Sequence, residues 1–146
     1  LPPIRLDYAP LSIIKSRDDM DDKSNYLLII SRNVKYFLIR DHKTSDKVGE
    51  IEIKVPPQLN TILNNWLKFN TSSHLLLNKG DKPMTANILG KYIGKAFAPT
   101  GKNITLNMLR KIYISSHVDL DVIKKRKEMA QVMGHTVATQ ETYIKV

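Results

Sequence analysis

Apolar residues recur along this chain with two different spacings, and the spacing changes near residue 56. Before that point, three segments are rich in β-branched and aromatic residues, as strands are: 26–30, 34–39 and 50–55. The last of them alternates, with Ile51, Ile53 and Val55 on one face and charged residues on the other. Turns at 31–33 and 44–49 separate the three segments. The pattern therefore predicts a three-stranded antiparallel meander. Residues 11–14 fit either a further strand or the end of a helix.

After Pro56 and Pro57 the spacing becomes helical, and Leu59, Ile62, Leu63 and Trp66 fall on one face. Thr85 and Thr105 are positioned as N-caps of two further helices. Their predicted inward residues are Ile88, Leu89, Tyr92, Ile93 and Phe97 in the first, and Leu106, Leu109, Ile112 and Tyr113 in the second. A fourth helix is predicted from about Asp121 to Met133, stopped by Gly134, and a last one from about Ala138.

These elements predict the α+β class: a mostly helical domain with the small antiparallel sheet on one side. A chain of 146 residues is long enough for one domain with a sizeable core. We therefore expect residues 1–146 to form a single domain.

The net positive charge of the chain indicates what kind of partner it binds. The chain has 23 basic and 14 acidic residues, a net charge of +9. Most of the excess lies after residue 50, where the sheet ends and the helices begin. A cationic surface of this kind attracts polyanions, and double-stranded DNA is the expected partner. The alternative is a basic surface that serves solubility alone. An RNA-binding domain would also be basic, but no platform of aromatic residues for stacking bases is evident.

Other site classes find little support. There is no cysteine, which rules out thiolate metal sites and favours an intracellular setting. Together with the expected DNA partner, this predicts an intracellular, DNA-associated location. No stretch is apolar enough to cross a membrane. The four carboxylates within 18–22 are interpreted as a solvated loop, since a calcium loop would need a matching glycine and a distal glutamate. His42, His74 and His117 lack metal-ligand spacing, so no metal and no cofactor is predicted.

Three residues near the end of the chain suit phosphoryl chemistry: Arg110, His135 after Gly134, and Tyr143. A phenol titrates near ~10 and attacks phosphorus poorly unless cationic donors favour its anion. Arginine keeps its charge and binds two phosphate oxygens at once. This order resembles the C-terminal part of the tyrosine recombinase (integrase) family, in which an HxxR helix precedes a Gly-His turn and a nucleophilic tyrosine.

The resemblance extends to the start of the chain. The family has an earlier arginine at a turn entering a helix, which corresponds to Arg5. It also has a lysine on a β-hairpin between the two arginines, and Lys43, before Thr44 and Ser45, corresponds to it. There are two departures. Asn107 replaces the histidine three residues before Arg110, and the interval from histidine to tyrosine is one residue shorter than is common.

The resemblance implies a site-specific recombinase or integrase of mobile or viral DNA. Its catalytic residues would be Arg5, Lys43, Asn107, Arg110, His135 and Tyr143. It also implies a 3′-phosphotyrosine intermediate, a homotetramer on paired DNA sites, and an N-terminal DNA-clamping domain outside this chain. Asn107 can hydrogen-bond a phosphate but cannot act as a base near neutral pH.

Three lysines are predicted to contact the DNA backbone: Lys47, Lys111 and Lys124. Lys111 follows Arg110 directly, where many family members have histidine, and it fits either this contact or a role in supporting the site from behind. Lys124 begins the run Lys124-Lys-Arg-Lys127, which also fits a solvated helix face. Tyr92 is the strongest rival to Tyr143 as nucleophile. Two other functions stay open: a type IB topoisomerase, whose catalytic residues are similar, and a DNA-binding module without catalytic activity.

Overall fold

The computed structural model describes residues 3, 5–21 and 23–142. The chain divides into two compact units, Leu1–Arg110 and Lys111–Val146. The strands of the first unit are β1 (Ser12–Ile14), β2 (Tyr26–Ile29), β3 (Lys35–Ile39) and β4 (Ile51–Lys54). The α-helices are α1 (Ser45–Val48), α2 (Pro57–Trp66), α3 (Ala86–Phe97), α4 (Leu106–His117), α5 (Leu120–Val132) and α6 (Val137–Glu141). The boundary between the units falls within α4.

The fold is mixed α/β, as predicted, but the sheet is not the expected three-stranded one. Its four strands lie in the order β1-β2-β3-β4. The β2–β3 and β3–β4 pairs are antiparallel, which confirms the meander, whereas β1 pairs parallel to β2. The prediction of a purely antiparallel sheet is therefore wrong. A strand of three residues is too short to show alternation, so its pairing direction is set by the tertiary structure.

Both faces of the sheet are covered by apolar side chains. Leu27 and Phe37 join a core cluster with Leu63 of α2, while Tyr26, Leu28 and Leu38 form a second cluster on the opposite face. Because successive side chains of a strand point to opposite faces, β2 and β3 must be apolar at consecutive positions. This accounts for the unbroken apolar runs in the sequence of these two strands.

A buried lysine fixes the helix that covers the sheet. Lys35 is 1% exposed, and its Nζ donates to the Arg32 carbonyl, Asn60 Oδ1 and Asn64 Oδ1, each at 2.7 Å. Asn60 and Asn64 lie one turn apart on α2, so these bonds set which side of the helix faces the sheet. The apolar face identified in the sequence of this helix is therefore only partly buried: Leu63 is buried, but Ile62 is 62% exposed and Trp66 40% exposed.

We expect Lys35→Met to destabilise the first unit because methionine fills the space but cannot donate. The buried Asn60 Oδ1 would lose a donor at a cost of about 1–3 kcal/mol, and the half-buried Asn64 Oδ1 would lose one at a smaller cost. Urea unfolding measures the loss. Lys54→Met, on the exposed face of the neighbouring strand β4, is the matched control and should change little. Equal stability of the two variants would contradict this account of Lys35.

The later helices begin and end close to their predicted residues. Thr85 Oγ1 accepts from Ile88 N at 3.4 Å and caps α3, and Gly134 has a φ of 68° just beyond α5. The burial prediction is less accurate. Tyr92 in α3 is 50% exposed and Ile112 in α4 is 56% exposed, so neither is a core residue of its unit. The other residues predicted to face inward on these two helices are half-buried.

Candidate active site

The first unit contains an open cleft of about 990 Å³. Three of the predicted catalytic residues line it: Arg5, Asn107 and Arg110. They come from opposite ends of this unit, so folding has brought them to one surface. The remaining walls are formed by the turn after Arg5, by Asn25, by Asp41 beyond β3, by residues 86–94 of α3, and by the loop before α4. Lining side chains of these walls include Asp7, Asp41, Lys91 and Asn103.

Arg5 reaches the cleft because the turn that follows it packs against α3. A 3-10 turn covers Leu6–Tyr8 directly after Arg5. A Cβ on Gly90 of α3 would lie 3.8 Å from Leu6 Cδ1, so Leu6 rests against the helix at a glycine. Tyr8 packs edge-on against Phe37 of β3, with ring centroids 5.2 Å apart. These contacts fix the Arg5 segment between α3 and the sheet.

The buried side chain of Asn25 joins the Arg5 segment to the end of β3. Its Nδ2 donates to the carbonyls of Asp7 at 3.2 Å and Asp41 at 3.0 Å. Its Oδ1 accepts from the backbone N–H groups of Arg40 and Asp41, both at 2.8 Å. All four bonds involve backbone atoms. The Asn25 amide therefore sets the positions of two chain segments that form adjacent walls of the cleft.

Asn107 and Arg110 enter the cleft together because they lie three residues apart on α4 and share a face. Thr105 precedes the helix, and its Oγ1 accepts from Met108 N at 3.4 Å, as the N-cap prediction requires. Arg110 is half-buried and Asn107 is exposed. Two guanidinium groups and an amide thus line one cleft and present several N–H donors, which is the chemistry that binds an anion.

Asp7 places a carboxylate among these cations. Burial raises its pKa, and Asp41 raises it further, while the charges of His42, Arg5 and Arg110 lower it. Burial is the largest of these effects. The charged groups that act on Asp7 come from its own turn, from the end of β3 and from α4. Asp7 is therefore surrounded by the residues of the candidate site, although its sequence position alone did not identify it.

Lys43 does not line the cleft. It is exposed and lies on the connector between β3 and β4, two residues after the cleft residue Asp41. The connector is not a plain hairpin turn as predicted, because residues 45–48 form the short helix α1. Lys47 is in α1 and is exposed. The connector thus carries both lysines at the edge of the first unit.

His135 and the remaining predicted residues belong to the second unit. His135 follows Gly134, and its Nδ1 lies 3.1 Å from the Thr136 carbonyl. Thr136 Oγ1 accepts from Thr139 N at 3.2 Å and caps α6, which starts within one residue of its predicted position. Tyr143 lies outside the described residues. Lys111 and Lys124 are exposed, as contacts with a DNA backbone require.

The acidic residues near position 20 have local structural roles. Ser16 and Asp19 form a reciprocal capping box around the 3-10 turn Arg17–Asp19. Asp21 Oδ1 accepts from the backbone of Lys23 at 2.9 Å and Ser24 at 2.7 Å. The Ser24 hydroxyl bond is the largest cause of the lowered pKa of Asp21. These bonds support the interpretation as a solvated loop. Among the described residues, no group of three histidine, cysteine or acidic side chains could hold a metal ion.

Comparison of the sequence with protein-family models gives no match, and comparisons with curated proteins and with solved structures give none either. Within the described part of the chain, no helix has the length and apolar character needed to cross a membrane. The functional assignment therefore depends on the chemistry of the cleft and on the motifs of the sequence.

Proposed function

We propose that this chain is the catalytic domain of a DNA breaking and rejoining enzyme similar to the tyrosine recombinases. The observation that carries the proposal is the cleft in which Arg5, Asn107 and Arg110 come together from opposite ends of the first unit. An arginine pair at one anion site can neutralise the two non-bridging oxygens of a phosphodiester as charge accumulates on them. Donors placed in advance at developing charge are a major source of catalysis.

In the proposed reaction the Tyr143 phenol loses its proton to solvent, and its oxygen attacks phosphorus in line with the 5′-oxygen of the next nucleotide. The P–O5′ bond breaks, the tyrosine becomes joined to the 3′-phosphate, and the departing 5′-oxygen takes a proton from Lys43. Arg5, Arg110, Asn107 and His135 donate hydrogen bonds to the phosphate oxygens. The phosphodiester energy is retained in the phosphotyrosine bond, so a second 5′-hydroxyl can reverse the reaction and rejoin the strand without a nucleotide.

The experiment that tests the proposal traps the covalent intermediate. A pool of nicked duplexes with randomised sequence lets the short 5′-hydroxyl fragment diffuse away after cleavage, so the adduct accumulates. Peptide mapping should then locate a phosphonucleotide on Tyr143. DNA binding without any adduct would instead favour a DNA-binding module that lacks catalytic activity. This alternative is motivated by Asn107, because an amide cannot transfer a proton as the family's histidine can.

Plasmid assays distinguish the two enzyme classes. A recombinase should exchange strands between two duplexes that carry its site, because four protomers must assemble on paired DNA. Rapid relaxation of any supercoiled plasmid without strand exchange would favour a type IB topoisomerase. We propose that the protein is a recombinase and not a topoisomerase, because its motifs follow the order found in the recombinase family. We propose a tetramer as its active form.

The position of Lys91 gives a test of DNA in the cleft. Lys91 and Lys95 are both exposed on α3, but only Lys91 lines the cleft. If a DNA backbone occupies the cleft, Lys91→Ala should weaken binding and reduce the slope of log affinity against log salt concentration by about 1. The matched variant Lys95→Ala should leave the slope nearly unchanged. Fluorescence anisotropy with labelled duplex measures both slopes, and equal slopes would place the DNA elsewhere.

A further inference from the structure

The connector that carries Lys43 is braced by one side chain, His42. Its Nε2 lies 2.9 Å from the Gly49 carbonyl, at the far end of the connector, and its Nδ1 lies 3.3 Å from Thr44 Oγ1. His42 is half-buried, whereas Lys43 and Thr44, which follow it within the braced segment, are exposed. The His42 ring therefore links the two ends of the connector, and Lys43 is the residue directly after His42.

The partners of His42 define its hydrogen-bonding roles. A carbonyl oxygen only accepts, so Nε2 must carry the hydrogen in the bond to Gly49. In the neutral ring Nδ1 then accepts from the Thr44 hydroxyl, and in the protonated ring the same hydroxyl accepts from Nδ1. Both bonds are therefore compatible with either charge state of the ring. Gly49 has a φ of 74°, a left-handed conformation that glycine adopts without strain.

The same histidine stands next to the cleft. It directly follows the cleft residue Asp41 and is one of the groups that act on Asp7, together with Arg5, Asp41 and Arg110. Asp41, the residue before His42, is held at its N–H and its carbonyl by Asn25. The chain is thus fixed to the arginine-bearing segment up to residue 41, and the His42 ring extends this fixed region into the connector. Without the His42 ring, the chain would be held only as far as Asp41, and Lys43 would lie on a loop with no such hydrogen bond to position it.

We infer that His42 is a positioning residue for Lys43, holding the connector so that the lysine can protonate the leaving oxygen at the edge of the cleft. This inference rests on the proposed function, because it assigns His42 a task in that reaction. It makes no use of His42 as an acid or base. A His42 variant should therefore lose proton donation by Lys43 to the leaving oxygen. It should respond to a change of leaving group in the same way as a Lys43 variant.

The test compares His42→Ala with Lys43→Ala on two substrates. On ordinary DNA, misplacement of the lysine should slow cleavage by roughly tenfold to a hundredfold. On DNA with a 5′-bridging sulfur, the leaving thiolate needs no proton, so both variants should cleave at nearly the wild-type rate. The double variant His42→Ala/Lys43→Ala should be no slower than Lys43→Ala alone on ordinary DNA, because the two residues act through one step.

Two further variants separate positioning from general damage to the fold. His42→Gln keeps a side-chain N–H that can reach the Gly49 carbonyl and should recover most of the rate on ordinary DNA. His74→Ala, in a loop outside the cleft lining, should cleave both substrates at the wild-type rate. Urea unfolding of His42→Ala confirms that the sheet is retained, and the sulfur substrate reports an intact site directly.

Each outcome has a distinct meaning. If wild-type protein forms the adduct but the sulfur substrate does not rescue His42→Ala, or if the effects of the two substitutions multiply in the double variant, the inference about His42 is wrong and the proposed function stands. If wild-type protein forms no adduct on either substrate, the proposed function fails, and the inference fails with it.

Discussion

Tyr143→Phe should abolish the covalent adduct with nicked DNA while leaving DNA binding in place. Phenylalanine keeps the aromatic ring, so only the attacking oxygen is lost. The measurement is denaturing gel analysis of labelled duplex beside anisotropy with the same duplex. An adduct that persists in Tyr143→Phe would show that the nucleophile has been misassigned.

Three other tyrosines lie in environments that make them weaker candidates for the nucleophile. Burial, the largest cause, raises the pKa of Tyr8 to about 12, which makes its phenolate harder to form. Tyr26 is 3% exposed, and its hydroxyl accepts from Asp21 N at 2.8 Å, so it is a core residue. Tyr113 stacks on His117 with ring centroids 4.1 Å apart. Burial therefore makes Tyr8 and Tyr26 poor nucleophiles, and Tyr113 is held against a neighbouring ring.

Tyr92 is the rival that requires an experiment, because it is 50% exposed and lies on α3 next to the cleft residue Lys91. Tyr92→Phe is therefore the matched control, and it should form the adduct at the wild-type rate. Loss of the adduct in Tyr92→Phe, with an adduct retained in Tyr143→Phe, would identify Tyr92 of α3 as the nucleophile. The order of catalytic residues would then differ from that of the recombinase family.

The helices were predictable from the sequence because their ends depend on local chemistry. Thr85 and Thr105 cap α3 and α4 through their own hydroxyl groups, and Gly134 ends α5 through its backbone conformation. Such signals act within four residues and are visible in the sequence. The meander was visible for the same reason, since its three longer strands show their β-branched and aromatic character directly.

The parts that were not predictable depend on contacts between distant residues. The parallel pairing of β1 with β2 and the rotation of α2 around Lys35 are examples. The cleft walls formed by Asp7 and Asp41 are a third case, because a single amide, Asn25, brings them together. An asparagine directly before an apolar strand is a signal for such a link, but it does not identify the partners. The two arginines were found only because a chemical motif connected them.

Arg110→Lys should reduce cleavage strongly without changing the attraction of the protein for DNA. Lysine keeps the positive charge, so the salt dependence of binding, which reports phosphate neutralisation, should be unchanged. It cannot offer two parallel N–H groups to one phosphate, however, and removing a donor of this kind costs about a hundredfold to a thousandfold in rate. Arg110 is half-buried in the cleft beside Asn107, where water can substitute for the lost donors only in part.

Arg126→Lys is the matched control for this substitution. Arg126 is on the exposed face of α5, and its Nη1 lies 3.8 Å from Glu141 Oε1, a surface ion pair that contributes little to stability. Single-turnover cleavage of the nicked duplex should be unchanged in Arg126→Lys and slow in Arg110→Lys, with equal salt slopes for both. Cleavage by Arg110→Lys at the wild-type rate would mean that a point charge at this position suffices. Arg110 would then act by attraction alone, and its proposed role in stabilising the developing charge on the phosphate would be wrong.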